Sequence, residues 1–327
     1  MPPLNAHARP RRLALLLGAV LCLAALTLTA CGGGSESDTA EAQRTVVATS
    51  FYPLAEAATA IGGDCVEVVN LTPDGMSPHG AEPTADRVAA LQDAAVVFYL
   101  GGDFQPQVEQ AIRELPKGIP AVDLLEVGTL RSVDDPVRGV VGEVDGEVLA
   151  GGRDPHMWVD PVLFAQMVEG IRAGLIAAAP KCTEQFDANA AAYLDELKQL
   201  DTDFAAALAT CETRTLVTSH AAFGYLADQY DLKQAPIAGI STEEEPNAQS
   251  IKAVAELARE DGVTTVFFEE LVPPDLAEVV AAEIGADTDA LDPVEGIPAD
   301  ALAEGESYDS IQRRNLAALV KGLGCTA

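Results

Sequence analysis

From Thr183 to Thr210 the chain runs 28 residues with neither proline nor glycine, and no other stretch constrains the fold as much. Phe186, Ala190, Tyr193, Leu194, Leu197, Leu200 and Phe204 recur along it at helical spacing. As one helix it would run roughly 40 Å at 1.5 Å per residue, longer than one small lobe is wide. Its apolar repeat is not a sustained heptad, which argues against a coiled-coil dimer. A helix of this length in mid-chain is a strut between two bodies.

What lies on either side agrees. On the N-terminal side, short β-branched or apolar runs (Thr45–Ser50, Val66–Leu71, Ala95–Leu100 and Ala121–Asp123) alternate with helical segments at Pro53–Ile61, Thr84–Gln92 and Phe104–Glu114. On the C-terminal side, Thr215–Thr218, Gln234–Ile237, Thr264–Phe268 and Asp289–Leu291 alternate with Phe223–Gln229, Asn247–Glu260, Pro274–Ile284 and Tyr308–Lys321. Runs apolar throughout, such as Ala95–Leu100, are strands buried on both faces, and strand–helix alternation means parallel sheets. The expected fold class is therefore α/β: two lobes, each with a four-stranded parallel sheet and flanking helices, joined by one long rigid helix. The expected boundaries are a leader over 1–30, a tether over 31–44, a first lobe over 45–182, the joining helix over 183–210 and a second lobe over 211–327. A Gly-, Val- and acid-rich segment from Glu126 to Gly152 suggests a loose hairpin at Gly142–Val148 and carries no readable chemistry.

Chemistry concentrates at the strand ends. His156 sits between two Asp-Pro steps in Asp154-Pro155-His156-Met157-Trp158-Val159-Asp160-Pro161, and proline stiffens both flanks of such a loop. His79 lies in the turn-rich loop after the second strand, and His220 at the end of Thr215–Thr218. Intervals of 77 and 64 residues separate these histidines, and Asp292 follows 72 residues later, with Glu295 close by in the same loop. Ligands of open α/β sheets gather at the carboxyl ends of the strands, so these four side chains are expected to meet around one metal ion in the cleft between the lobes. Three imidazoles and a carboxylate make a borderline-soft set that suits Zn²⁺, whereas Mg²⁺ and Ca²⁺ require mostly oxygen.

The first 31 residues place Arg9, Arg11 and Arg12 before an uncharged apolar run and end in Leu28-Thr29-Ala30-Cys31, the pattern of a cleaved lipoprotein leader with lipid on Cys31. Without it the chain carries 17 basic and 51 acidic residues, a formal charge of −34. Such acidity excludes nucleic acid as a partner, since phosphate is met by a basic face. Four further cysteines in an exported chain point to two disulfides. The joining helix would hold Cys182 and Cys211 far beyond the roughly 7 Å that a disulfide spans. Of the two connectivities left, pairing within lobes, Cys65 with Cys182 and Cys211 with Cys325, avoids tying the lobes across their separation.

In this order the landmarks resemble those of the metal-binding lipoproteins of bacterial ABC importers for zinc and manganese, the cluster A-I solute-binding proteins. They are Ser50-Phe51-Tyr52-Pro53-Leu54, Pro78-His79-Gly80-Ala81-Glu82-Pro83-Thr84, the Asp154–Pro161 stretch, Val217–Tyr225, Gly239–Pro246, Phe267–Glu270 and Leu291–Pro293. The resemblance covers about Thr45 to Gly322. It implies His79 and His156 from the first lobe and His220 and Asp292 from the second as ligands of one Zn²⁺. It also implies an importer permease and its ATPase as partners, and an extracytoplasmic, lipid-anchored monomer that is not an enzyme. Members that carry manganese or iron usually have Glu at the place of His220, so manganese is the alternative cargo. Many zinc members have a His-rich loop before the second ligand, and Glu126–Gly152 contains no His. Two other classes are a zinc hydrolase, with Glu82 or Glu245 as base beside an open coordination position, and an adhesin with a structural metal.

Overall fold

The computed structural model describes residues 44–127, 153–242 and 246–326. The expected leader, the lipidation at Cys31, nearly all of the tether, the hairpin at Gly142–Val148 and Glu245 lie outside these residues.

The first lobe is built from β1 (Thr45–Thr49), α1 (Tyr52–Gly62), β2 (Val66–Asn70), α2 (Ala85–Ala90), β3 (Val96–Tyr99), α3 (Pro106–Arg113), β4 (Ala121–Asp123) and α4 (Pro161–Ala178). Helix α5 (Thr183–Ala207) follows. The second lobe contains β5 (Thr215–Thr218), α6 (Gly224–Gln229), β6 (Lys233–Pro236), α7 (Ala248–Glu260), β7 (Thr265–Phe268), α8 (Asp275–Ile284), β8 (Asp287–Ala290), α9 (Ala299–Ala303) and α10 (Tyr308–Gly322). Each lobe has a four-stranded parallel sheet, in the order β2-β1-β3-β4 in one and β6-β5-β7-β8 in the other. The two sheets share one winding, so each has its topological switch between its first and third strands, where an open α/β sheet leaves a crevice. Pro236, which cannot donate to a ladder, is tolerated because β6 is an edge strand.

Period-two alternation divides each sheet between two cores. Val47, Val96 and Phe98 face inward with Leu216 and Phe267 of the other lobe, in one cluster that also holds α1, α4, α5 and the α10 residues Tyr308, Ile311 and Leu319. Their neighbours in the strands, Ala48 and Val97, face outward to Leu91 and Val108, while Val217 and Val266 pack on Val254, Ala258 and Val280 of α7 and α8. The lobes thus have separate outer cores and a common inner one. Helix α5 lies against α4, α1 and α10 through Phe186, Ala190, Tyr193, Leu197, Leu200 and Phe204, all buried. It ends at Ala207, three residues earlier than its sequence suggests, where the Arg214 guanidinium takes the carbonyl of Leu208 and satisfies a helix end. Glu56 of α1 accepts from Tyr52 and Tyr193 hydroxyls and the Tyr308 N–H, so one half-buried carboxylate ties α1, α5 and α10 together. Disulfides Cys65–Cys182 and Cys211–Cys325 brace the two ends of α5, each within its own lobe.

The Asp154–Pro161 stretch belongs to the first lobe by chain order but is held by the second. Tyr225 donates to the Asp154 carbonyl, Tyr308 to that of Trp158 and Gln312 to that of Val159, while the Trp158 indole N–H donates to the Pro293 carbonyl at 2.7 Å. Every one of these polar groups is buried, so separating the lobes would strand them.

Candidate metal centre

The structure brings His79, His156 and His220 together, and the carboxylate among them is Glu295, not Asp292. His79 follows β2, His156 follows β4, His220 follows β5 and Glu295 follows β8. Glu295 Oε1 stands 3.2, 3.6 and 3.3 Å from Nε2 of His79, His156 and His220. Nε2 of His156 is 3.3 Å from that of His79 and 3.4 Å from that of His220. Donors with those separations surround a point roughly 2.0–2.2 Å from each if they form a tetrahedron, the length of zinc bonds to imidazole and carboxylate. The four side chains are 0–2% exposed.

Asp292 is buried too, with another task. Its Oδ1 accepts from the Val294 N–H at 2.7 Å, and its backbone N–H and carbonyl pair with the side-chain amide of Asn315. Val294 has φ 59°, a left-handed conformation that a β-branched residue adopts only under constraint. That reversal turns the next side chain, Glu295, into the site. Burial first, and the nearby carboxylates of Glu270 and Glu295 after it, push the Asp292 carboxyl up to about 7. The sequence contains a usable sign of this: an Asp that opens an Asp-Pro turn is commonly engaged by its own backbone two residues on.

Two of the imidazoles are oriented by carboxylates. Asp154 Oδ1 accepts from Nδ1 of His156 at 2.8 Å and from its N–H at 2.9 Å; Glu269 Oε1 does the same for His220, at 2.7 and 3.1 Å. A carboxylate on Nδ1 fixes the tautomer that presents the Nε2 lone pair. Neither role was read from the sequence, although Asp154 and Glu269 lie inside landmarks quoted above. Electrostatics separates the three rings. Desolvation depresses the charged form of all three, yet Glu269 and Glu295 outweigh it at His220, whose pKa is raised to about 10. His156 is also raised, its burial offset by Asp154 and Glu295, whereas burial wins at His79, which is lowered. Glu295, despite burial, is held well below the usual carboxylate range by the three imidazoles. With neutral rings the centre holds three buried carboxylates, Asp154, Glu269 and Glu295, and is a strong attractor for a dication.

Four protein donors in a tetrahedral arrangement would leave no corner for the water that a catalytic zinc requires. Glu82, nominated as a hydrolytic base, is exposed on the surface. Among the described residues this is the one cluster of His, Cys, Asp and Glu side chains close enough to hold a metal.

Comparisons with known proteins agree with the geometry. Residues 47–322 match the family described as zinc-uptake complex component A, periplasmic. The chain is 34% identical over 316 residues to the zinc-binding lipoprotein AdcA of Streptococcus pneumoniae, covering 94% of this chain and 60% of that one, so it spans less than two thirds of this relative's length. It is 32% identical over 306 residues to the high-affinity zinc uptake system protein ZnuA of Bacillus subtilis, covering 93% and 96% of the two chains. The crystal structure of the Zn(II)-bound ZnuA-like domain of S. pneumoniae AdcA superposes with a TM-score of 0.69 at 33% identity, over 86% of this chain and 99% of that one.

Proposed function

The chain belongs to the zinc-uptake complex component A family, solute-binding components of ABC importers and not enzymes, and from that premise we propose that it captures one Zn²⁺ between its lobes through His79, His156, His220 and Glu295. The observation that carries this reading is that five donor separations fall between 3.2 and 3.6 Å and all four donors lie within 4.8 Å of one another, which suits a four-coordinate ion at zinc bond lengths. Manganese, the alternative cargo, favours oxygen-rich sites with six donors, and three of the four atoms here are nitrogen. The chain works at the extracytoplasmic face as a monomer, tethered by lipid on Cys31, and hands the metal to an importer permease driven by its ATPase. Support for the tether comes from the Arg-rich, apolar, Cys-terminated leader and from the word lipoprotein in the name of AdcA. The long helix, the inner core and the two disulfides favour a body that presents its cleft as one piece.

The test is metal analysis of the purified chain, followed by titration of the metal-free form with Zn²⁺ and Mn²⁺. One zinc per chain, a clear preference over manganese and zinc binding weakened by roughly 100- to 1000-fold in Glu295→Ala are expected. A stoichiometry of zero, or zinc binding untouched by Glu295→Ala, overturns the ligand set. Mass measurement of the N-terminal peptide from membranes checks the lipid on Cys31.

A further inference from the structure

The two oxygens of Glu295 have unlike surroundings. Oε1 faces the three Nε2 atoms, while Oε2 lies 3.0 Å from the hydroxyl of Ser77. Ser77 Oγ is also 3.3 Å from Thr242 Oγ1 and 3.4 Å from the backbone N–H of His79. A serine hydroxyl has one proton and two lone pairs. With the His79 N–H and the Thr242 hydroxyl as its donors, the single proton of Ser77 goes to Oε2, a charge-assisted bond of the stronger kind. The loops concerned meet across the cleft. Ser77 hangs from β2 of the first lobe, and Glu295 and Thr242 belong to the second. The approach is tight: a Cβ placed on Gly296 would come within 2.8 Å of the Met76 carbonyl, so the chain beside Ser77 can lie against the chain beside Glu295 only because residue 296 is glycine.

We propose that Ser77 is a specificity-determining residue, which keeps Glu295 a one-oxygen ligand and thereby holds the metal at four donors. The proposal rests on the reading that His79, His156, His220 and Glu295 hold the metal. A carboxylate with both oxygens free can chelate and supply a fifth donor. Zn²⁺ is satisfied by four, whereas Mn²⁺ gains from each additional oxygen. Occupying Oε2 therefore withholds from manganese a donor that zinc does not need. Oε1 is aimed into the cluster in the same stroke, because a carboxylate fixed at one oxygen has a fixed plane.

The whole chain, as wild type, Ser77→Ala and Ser77→Thr, would be titrated metal-free with Zn²⁺, Mn²⁺ and Co²⁺. Wild type should bind Zn²⁺ one to one, and its Co²⁺ form should show the intense visible bands of four-coordinate cobalt. Ser77→Ala should weaken zinc by about 10- to 100-fold, as for other residues that orient a metal ligand. It should weaken manganese less, so that the zinc-to-manganese preference narrows, and the cobalt bands should lose intensity as a fifth donor enters. Ser77→Thr keeps a hydroxyl and should restore both. Thr242→Val, which removes a donor to Ser77, should shift preference and cobalt bands in the same direction by less. Equal weakening of zinc and manganese with unchanged cobalt bands, or no change in either readout, overturns the proposal. Failure of the ligand set itself would appear separately, as absent zinc binding in the wild type.

Discussion

The centre has two halves held in different ways. His156 and His220 each have a buried carboxylate on Nδ1, and their backbones are bonded to those same carboxylates. His79 and Glu295 sit on loops that follow the edge strands β2 and β8, and they are joined to each other, directly at 3.2 Å and through Ser77. The first pair is oriented by its own surroundings, whereas the second is oriented mutually across the cleft. The candidate centre thus combines a preset half with a half whose members depend on each other.

Removing a ligand from either half should cause the largest change. Structural zinc sites bind with apparent energies of about 10–16 kcal/mol, so losing one of four ligands should weaken zinc by roughly 100- to 1000-fold. His156→Ala, His220→Ala and Glu295→Gln are expected to fall in that range by competition with a chelator, while Asp292→Asn stays within about threefold, since its role is to shape a turn. Equal losses for Glu295→Gln and Asp292→Asn would return Asp292 to the ligand set. Next in size, Asp154→Asn and Glu269→Gln should each weaken zinc by about 10- to 100-fold. An effect near zero for both would erase the distinction between the halves.

Protons should divide the halves further. His220 is raised to about 10 and His156 is raised, whereas His79 is lowered, and only neutral imidazole binds metal. At pH 7 zinc should displace at least one proton from the preset half, and affinity should climb by about tenfold per pH unit for each proton displaced, flattening as pH approaches the His220 value of about 10. Calorimetric titration at pH 7 in two buffers of different ionisation heat measures this, and zero proton release contradicts it. The stability of the metal-free chain runs the other way. A His220 pKa raised above its ordinary 6.5 contributes stability that is fully present below that value and lost as pH rises through about 10. Glu295, depressed, contributes above the ordinary carboxylate range and loses its contribution as pH falls through its lowered value. Denaturant midpoints of the metal-free chain should accordingly be lower at pH 10 than at pH 7. The smallest effect should be in overall shape. With Tyr225, Tyr308, Gln312 and Pro293 of the second lobe holding the His156 loop, metal loss should rearrange the His79 and Glu295 loops and leave the lobes together. A large change in radius between scattering profiles of the two forms would contradict this.

How far the sequence could be read follows from what each feature leaves in it. Strands buried on both faces leave unbroken apolar runs, and β3 and β7 are plain in Val96–Tyr99 and Thr265–Phe268. A long unbroken helix leaves an absence of proline and glycine. Short α9, Ala299–Ala303, has no buried residue and so imposed no periodicity to find. The interval after His220 and the resemblance both point to Asp292, and Glu295 stands only three residues on in the same loop. What redirects the chain is the left-handed turn at Val294, and a β-branched residue gives no hint of positive φ. Asp154 and Glu269 stand in recognisable stretches, yet their task depends on which nitrogen of a distant ring they meet, which only packing decides. Ser77 is a serine in a turn until the other lobe arrives beside it.

That the inner core is common to both lobes has a consequence for how the molecule is made. Phe164 of α4 lies 4.5 Å, ring to ring, from Tyr308 of α10, and the inward faces of β1 and β3 share a cluster with Ile311 and Leu319. A chain emerging from its N-terminal side can complete the outer core of its first sheet early. The cover of the inner face is incomplete until about 140 more residues have followed α4, because it includes α10, Tyr308–Gly322, beside α1, α4 and α5. Cys65 and Cys182 can be oxidised well before Cys325 exists to meet Cys211. His79 and His156 therefore precede by a long stretch of chain both their partners in the cluster and the residues Tyr225, Tyr308 and Gln312 that hold the His156 loop, so the candidate metal centre can be complete only once the second lobe has been made.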